Sequence, residues 1–237
     1  MAVPQREEDA STDLEELLGK DPLNVGKLHP ELKACLVDGP FGPSIQHPFV
    51  HQVFFSSWKR ANEMLEHKNT QVAKAIAEKR WGQVLWLYER PWRLDMLNEM
   101  WMNKTITRHE LRTLLPRIWI DAELLGKRKA LLLRLFKATG FVSDDAEKPN
   151  VQDYLVPGEA VTIYRGSAPA HANGLSWTRS PQIAAWFARR LNDEKTCIVT
   201  AGEVLPEHVL GVFTGRGEDE VVVNPRHIKN RRQHRVP

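Results

Sequence analysis

Thr214-Gly215-Arg216-Gly217-Glu218-Asp219-Glu220-Val221-Val222-Val223 runs from a glycine-rich turn straight into an unbroken β-branched stretch. Three consecutive valines lack the in-out alternation of a surface strand and read as a strand buried on both faces. Glu220 opens that strand. In an extended chain Glu218 and Glu220 point the same way, because side chains two apart share a face. An acidic pair in a loop ordinarily reads as solvated charge, but a glutamate leading a central strand is harder to place in solvent.

Outward from this stretch the pattern stays β-rich. Ala160-Val-Thr-Ile-Tyr-Arg165, Thr196-Cys-Ile-Val-Thr200 and Val209-Leu-Gly-Val-Phe213 are short runs bounded by glycine and proline. One helix is expected among them, over residues 181–191, with Ser180 as N-cap and Pro181 at the first helical position. Upstream of a polar break at 143–150 the period changes, and residues 50–139 read as helices. Val72, Ala75, Ile76 and Lys79 keep helical spacing in a run that Pro91 ends, and Leu94, Leu97 and Trp101 continue on a second helix. Thr107 and Glu110 form a capping box before Leu111, Leu114, Leu115 and Ile118. Leu124, Leu125, Leu131, Leu132, Leu135 and Phe136 mark a fourth helix, with Gly140 suited to close it. The expected layout is α+β: an acidic tail and irregular connector over 1–48, a helical region over 49–142, a strand-rich core over 150–228 and a basic tail over 229–237.

Composition sets the bounds. A chain of 237 residues suits one full-sized domain or a domain with a helical annex. The 33 basic and 30 acidic side chains leave a net charge of +3, too small to demand a nucleic-acid partner. That charge is an average over an acidic head (Glu7, Glu8, Asp9, Asp13, Glu15, Glu16) and a basic end (Arg226, Lys229, Arg231, Arg232, Arg235), both of which read as solvated tails or partner-contacting arms. The two cysteines, Cys35 and Cys197, cannot staple a domain of this size and have no zinc-ligand spacing, so no metal is expected. No apolar run reaches the roughly 18 residues of a membrane span. A cytoplasmic protein without a membrane partner is the expectation. Six of the eight tryptophans fall between Trp58 and Trp119 and are expected in the helical core, with Trp177 and Trp186 in the strand-rich half.

Two more places put polar groups where a strand should bury apolar ones. Arg165 ends its run on the same face as Val161 and Ile163, so a guanidinium points inward if that face is core. Its planar fork suits a carboxylate or a phosphate, and Gly166 lets a ligand approach the backbone. Ser176 and Thr178 share one face of Gly174-Leu-Ser-Trp-Thr178, where paired hydroxyls can bond a carboxylate or a ligand. Each feature alone also reads as ordinary structure: an ion-paired strand end, and a ladder end passing into a helix.

Together the three places resemble the Arg–Ser–Glu pattern of the mono-ADP-ribosyltransferases, the group with the clostridial binary-toxin and arginine-specific enzymes. The order matches, with Arg165 and Ser176 eleven apart and Ser176 and Glu220 forty-four apart. Tyr164-Arg165-Gly166 is similar to the family's aromatic-Arg-Gly, and Ser176-Trp-Thr178 stands for its Ser-Thr-Ser. Ala184-Ala-Trp-Phe187-Ala resembles the following helix, and Gly217-Glu-Asp-Glu220-Val-Val-Val the Glu-x-Glu strand. The resemblance covers about residues 155–228 and implies a split, curved β-sandwich with NAD in its cleft.

It also implies roles. Arg165 would hold the NAD phosphates, Gly166 would meet the nicotinamide amide, and Phe187 would lie against the nicotinamide ring. Ser176, with Thr178, would orient Glu220, which bonds a ribose hydroxyl and stabilises an oxocarbenium-like state. Glu218 would orient or deprotonate the nucleophile. Thr214, Gly215, Arg216 and Gly217 would form the acceptor loop, and Glu-x-Glu leans towards a guanidinium, hence protein arginine. NAD enters as substrate, and no metal is required. Three other readings stay open: nucleic acid as acceptor, reached through the basic end; NAD hydrolysis of a toxin-like kind; and a non-catalytic interaction module on the same fold. A bacterial, phage or toxin source fits each of them.

Overall fold

A computed structural model describes residues 17–39, 41–122, 125–191 and 197–235. The expected acidic head at positions 7–16, Leu124 and Thr196 lie outside the described residues. The chain folds as two units, residues 1–96 and 97–237.

The first unit corrects the irregular connector expected before residue 49. It contains α1 (Pro30–Lys33), then β1 (Leu36–Gly39), β2 (Gly42–Gln46) and β3 (His51–Gln52) in an antiparallel three-stranded sheet. Two glycines serve the β1–β2 turn, where Gly39 pairs with Gly42 and Gly42 sits at φ +104°. Ile45 and Val50, fully buried, pack with Leu28, Leu32, Ala61 and Leu65, and this packing makes the short strands worth forming. Then come α2 (Trp58–Ala77), capped by the Ser57 hydroxyl accepting from Arg60 N at 3.3 Å, and α3 (Trp81–Leu87). The break between them falls at Lys79, in the left-handed region at φ +52°. Helix α4 (Arg90–Met102) carries Pro91 in its first turn, where no N–H is needed, so the proline starts a helix instead of ending one.

The second unit holds α5 (Arg108–Asp121) and α6 (Lys129–Thr139), followed by the strands. The expected capping box is present: Glu110 N donates to the Thr107 hydroxyl at 3.2 Å, and Thr107 N donates to the Glu110 carboxylate at 2.6 Å. Gly140 ends α6 at φ +75°. The division between units therefore falls at 96/97, and α5 and α6 belong with the strands, not with the earlier helices. The reason is burial: Leu111, Leu114, Leu115, Ile118 and Trp119 face inward, and Trp119 stacks on Phe213 at 6.2 Å and meets Phe136 edge-on at 5.2 Å.

The strands are β4 (Val142–Ser143), β5 (Val161–Ser167), β6 (Ser176–Thr178), β7 (Ile198–Val204), β8 (Val209–Phe213), β9 (Glu220–Val223) and β10 (Lys229–Arg235), with α7 (Pro181–Leu191) between β6 and β7. Their order is β10-β7-β5-β6-β9-β8-β4, antiparallel except for the β4–β8 pair. The protein is thus α+β, with a separate sheet in each unit. The strands of the second unit form one seven-stranded ladder with a seam in it: β5 and β6 pair only at Tyr164 and Thr178, whereas β5 pairs with β7 along its whole length. All four residues of β9 are buried, as the triple valine requires. Ile163, Val212, Val221 and Val223 are fully buried beside Trp177, each contributing about 1.5–3 kcal/mol.

Two further expectations are corrected. Residues 229–235 are a strand on β7, not a tail, because β7 would otherwise present an unpaired edge. All seven side chains of β10 are exposed, so a basic composition is compatible with pairing. Of the six tryptophans between 58 and 119, only Trp119 is buried; Trp86 is exposed, under the Arg93 guanidinium, and the others are half-buried.

Candidate active site

The seam between β5 and β6 opens into a cleft of about 190 Å3. Tyr164, Arg165 and Gly166 line it from β5, Ser176 and Thr178 from β6, Ala184 and Phe187 from α7, and Glu218 and Glu220 from the loop and start of β9. The structure brings every proposed catalytic and NAD-contacting residue to this one place.

Glu220 is its most constrained group. It is only 4% exposed, pairs across the ladder with Thr178 and Phe213, and accepts from Trp119 Nε1 at 3.1 Å. Burial pushes its pKa up; hydrogen bonds from Ser176 and Trp119 and the nearby Arg216 pull it back, and Glu218 adds to the rise. Ser176 therefore supports Glu220 as expected, while Thr178 acts elsewhere. The Thr178 hydroxyl donates to the Glu218 carbonyl at 2.7 Å and accepts from Ser180 N at 3.1 Å.

The two glutamates meet differently from the extended geometry expected of them. Asp219 stands between them at φ +46°, which breaks the extension, and β9 begins only at Glu220. Asp219 is held by Arg179, whose Nε lies 2.9 Å from both carboxylate oxygens, with Nη2 on Oδ1 as well. Both glutamates converge on Arg216, whose Nη2 lies 2.8 Å from Glu218 Oε2 and 3.4 Å from Glu220 Oε2. The loop carrying Arg216 is anchored at its base, where Thr214 N and Gly215 N donate to the Asp144 carboxylate at 3.1 and 2.7 Å. Gly217 turns the chain at φ +70°.

Arg165 is held by backbone. Nε donates to His171 O at 3.0 Å and Nη1 to Ser176 O at 2.6 Å, which ties the β5–β6 connection to the seam. Burial lowers its pKa and Glu220 raises it, and a guanidinium stays charged regardless. Gly174 is its seat: a Cβ there would lie 2.2 Å from Arg165 Cζ. Gly166 has a packing duty of its own, since an added Cβ would lie 1.8 Å from Ala184 O, so only glycine lets α7 approach β5. Helix α7 starts as expected, with Ile183 N donating to the Ser180 hydroxyl at 3.3 Å. Phe187 is half-buried and meets Trp186 edge-on at 4.8 Å. Trp177 turns away into the core, its indole N–H on Gly174 O at 3.0 Å.

Trp119, Gly174 and the Arg179–Asp219 pair are the site residues that sequence spacing did not single out. A second, more open hollow of about 520 Å3 is lined by Pro169, Ala172 and Asn173 of loop 168–175 and by Arg231 and Gln233 of β10. Arg231 donates to Asn173 Oδ1 at 2.8 Å and Ala172 O at 3.1 Å, and Lys129 Nζ donates to Asn173 O at 2.8 Å. Burial lowers the Lys129 pKa, and Arg226, Arg165 and Arg231 lower it further, the mark of a crowded positive field. Among the described residues no group of three or more His, Cys, Asp or Glu is placed to hold a metal ion, and no helix is long and apolar enough to cross a membrane.

Comparison with models of known families, with curated proteins and with solved structures gave no significant match.

Proposed function

We propose that this protein is a mono-ADP-ribosyltransferase that cleaves NAD at the nicotinamide bond and transfers ADP-ribose to a guanidinium. The observation that carries this reading is Glu220: a buried carboxylate, fixed by Trp119 and Ser176, at the wall of a cleft whose other wall bears Arg165. A buried carboxylate held by donors is suited to stabilising positive charge that develops on a sugar as its leaving group departs.

The cleft has room for one ring and its sugar, the reacting end of NAD, with Phe187 available to the ring. The crowded cations Arg165, Lys129, Arg226 and Arg231 would favour a pyrophosphate, and the open hollow against loop 168–175 would take the adenosine half. An arginine acceptor is supported by Glu218 and Glu220, which already hold a guanidinium nitrogen between them. Glu218 would take its proton.

One observation favours nucleic acid as a second reading of the acceptor. Lys229, Arg232 and Arg235 stand on an edge strand with exposed side chains. Incubation with labelled NAD and a cell lysate, with and without nuclease, followed by mass spectrometry of the labelled residue, separates the two. Label on protein arginine supports the main reading, and label removed by nuclease supports the second. No nicotinamide release and no label would overturn both.

A further inference from the structure

Arg216 is placed where an acceptor's guanidinium belongs. Its Nη2 lies between Glu218 Oε2 and Glu220 Oε2, and its Nη1 donates to Ile120 O at 3.3 Å. An ion pair for stability alone is a poor account of this arrangement. The Arg216 side chain is 45% exposed, so its pair with the partly exposed Glu218 is worth little, and it is offered by a loop tip, Gly215-Arg216-Gly217, whose base is bolted to Asp144. An electrophilic carbon held by Glu220 would have Nη2 close by, since Nη2 lies 3.4 Å from that carboxylate, and the carboxylate able to take the Nη2 proton is 2.8 Å away.

We propose that Arg216 is a self-modification site: the protein transfers ADP-ribose from NAD to its own acceptor loop. This rests on the NAD-cleaving reading of the same cleft. When NAD occupies it, Arg216 keeps Glu218 and yields Glu220 to the ribose. The C1′–N bond to nicotinamide breaks and nicotinamide leaves neutral, carrying the bonding pair. The Nη2 lone pair forms the new C1′–N bond, and the displaced guanidinium proton passes to Glu218 and then to water. No other reactant is needed. Because the nucleophile is already in contact with the catalytic carboxylates, its effective concentration exceeds that of any external arginine.

The test uses the purified full chain with NAD and no other protein, followed by peptide mass spectrometry. The expected result is one ADP-ribosyl group on the peptide containing Arg216, a first-order rate constant unchanged on dilution of the protein, and no modification in Glu220→Gln. Free ADP-ribose in place of NAD gives none either. Nicotinamide release with Arg216 unmodified overturns the proposal while leaving the NAD reading intact. So does a rate constant that rises with protein concentration, which would assign the attack to a second molecule. Absence of nicotinamide release from the wild type overturns the underlying reading itself.

Discussion

The indole of Trp119 donates to the Glu220 carboxylate at 3.1 Å, joining residues 101 positions apart. A helix of the all-α stretch thus supplies a direct partner to the group at the centre of the proposed chemistry. The contact also explains why α5 folds with the strands: Trp119 is clamped between Phe213 and Phe136 while its polar tip reaches Glu220.

Trp119→Phe keeps most of the ring and removes the donor, and Ser176→Ala removes the other. Both hydrogen bonds hold the Glu220 pKa down against burial, so losing either raises it further. The acid limb of the pH profile for nicotinamide release should move to higher pH in both variants, further in Ser176→Ala, whose hydrogen bond is the stronger of the two influences. An unmoved acid limb would remove Glu220 as the titrating group.

Glu220→Gln should trade activity for stability. Because the folded-state pKa of Glu220 is raised, the stability tied to its protonated form is present in acid and is lost as pH climbs through the folded value. The variant carries no such loss. Its stability relative to wild type, followed by denaturant unfolding, should therefore increase from acid to neutral pH. A variant that is less stable than wild type at neutral pH would contradict the burial cost.

Two glycines separate fold from site. Gly166→Ala forces a Cβ to within 1.8 Å of Ala184 O and should cost about 1–3 kcal/mol or more, seen as a lower unfolding midpoint. Gly174→Ala presses on the Arg165 guanidinium instead. It should weaken NAD binding by about tenfold, the worth of a hydrogen bond to a charged group, with a smaller change in stability. Equal effects of the two substitutions on folding would show that Arg165 is only a structural clamp.

Removing residues from Lys229 onward should lower the melting temperature and promote association, because β7 would become a bare edge. A solvated tail would come off without either effect.

How much of this was legible in the sequence depends on the range of the forces involved. Val221-Val222-Val223, the Thr107–Glu110 box and Ser180-Pro181 announce their elements because local burial and capping decide them. The cleft residues were legible as a combination, Arg165, Ser176 and Glu220 in order, since the roles need those side chains on neighbouring strands. Other features depend on partners distant in sequence. Nothing at Trp119 signals a carboxylate a hundred residues on, and its spacing on α5 is that of a core residue. Gly39 and Gly42 look like breakers until Ile45 has a core to pack into. The basic run at 229–235 becomes a strand only because β7 offers it an edge. The same tertiary closeness sets Arg216 against Glu218 and Glu220, which a period-two reading across Asp219 could not supply.

The most direct measurement of the central claim is nicotinamide release from NAD by the wild type and by Glu220→Gln, with NAD binding followed in parallel. The account predicts release by the wild type, a fall on the order of 10^3-fold in the variant, and NAD binding retained. Release at the wild-type rate from Glu220→Gln, or none from the wild type while it binds NAD, would contradict it.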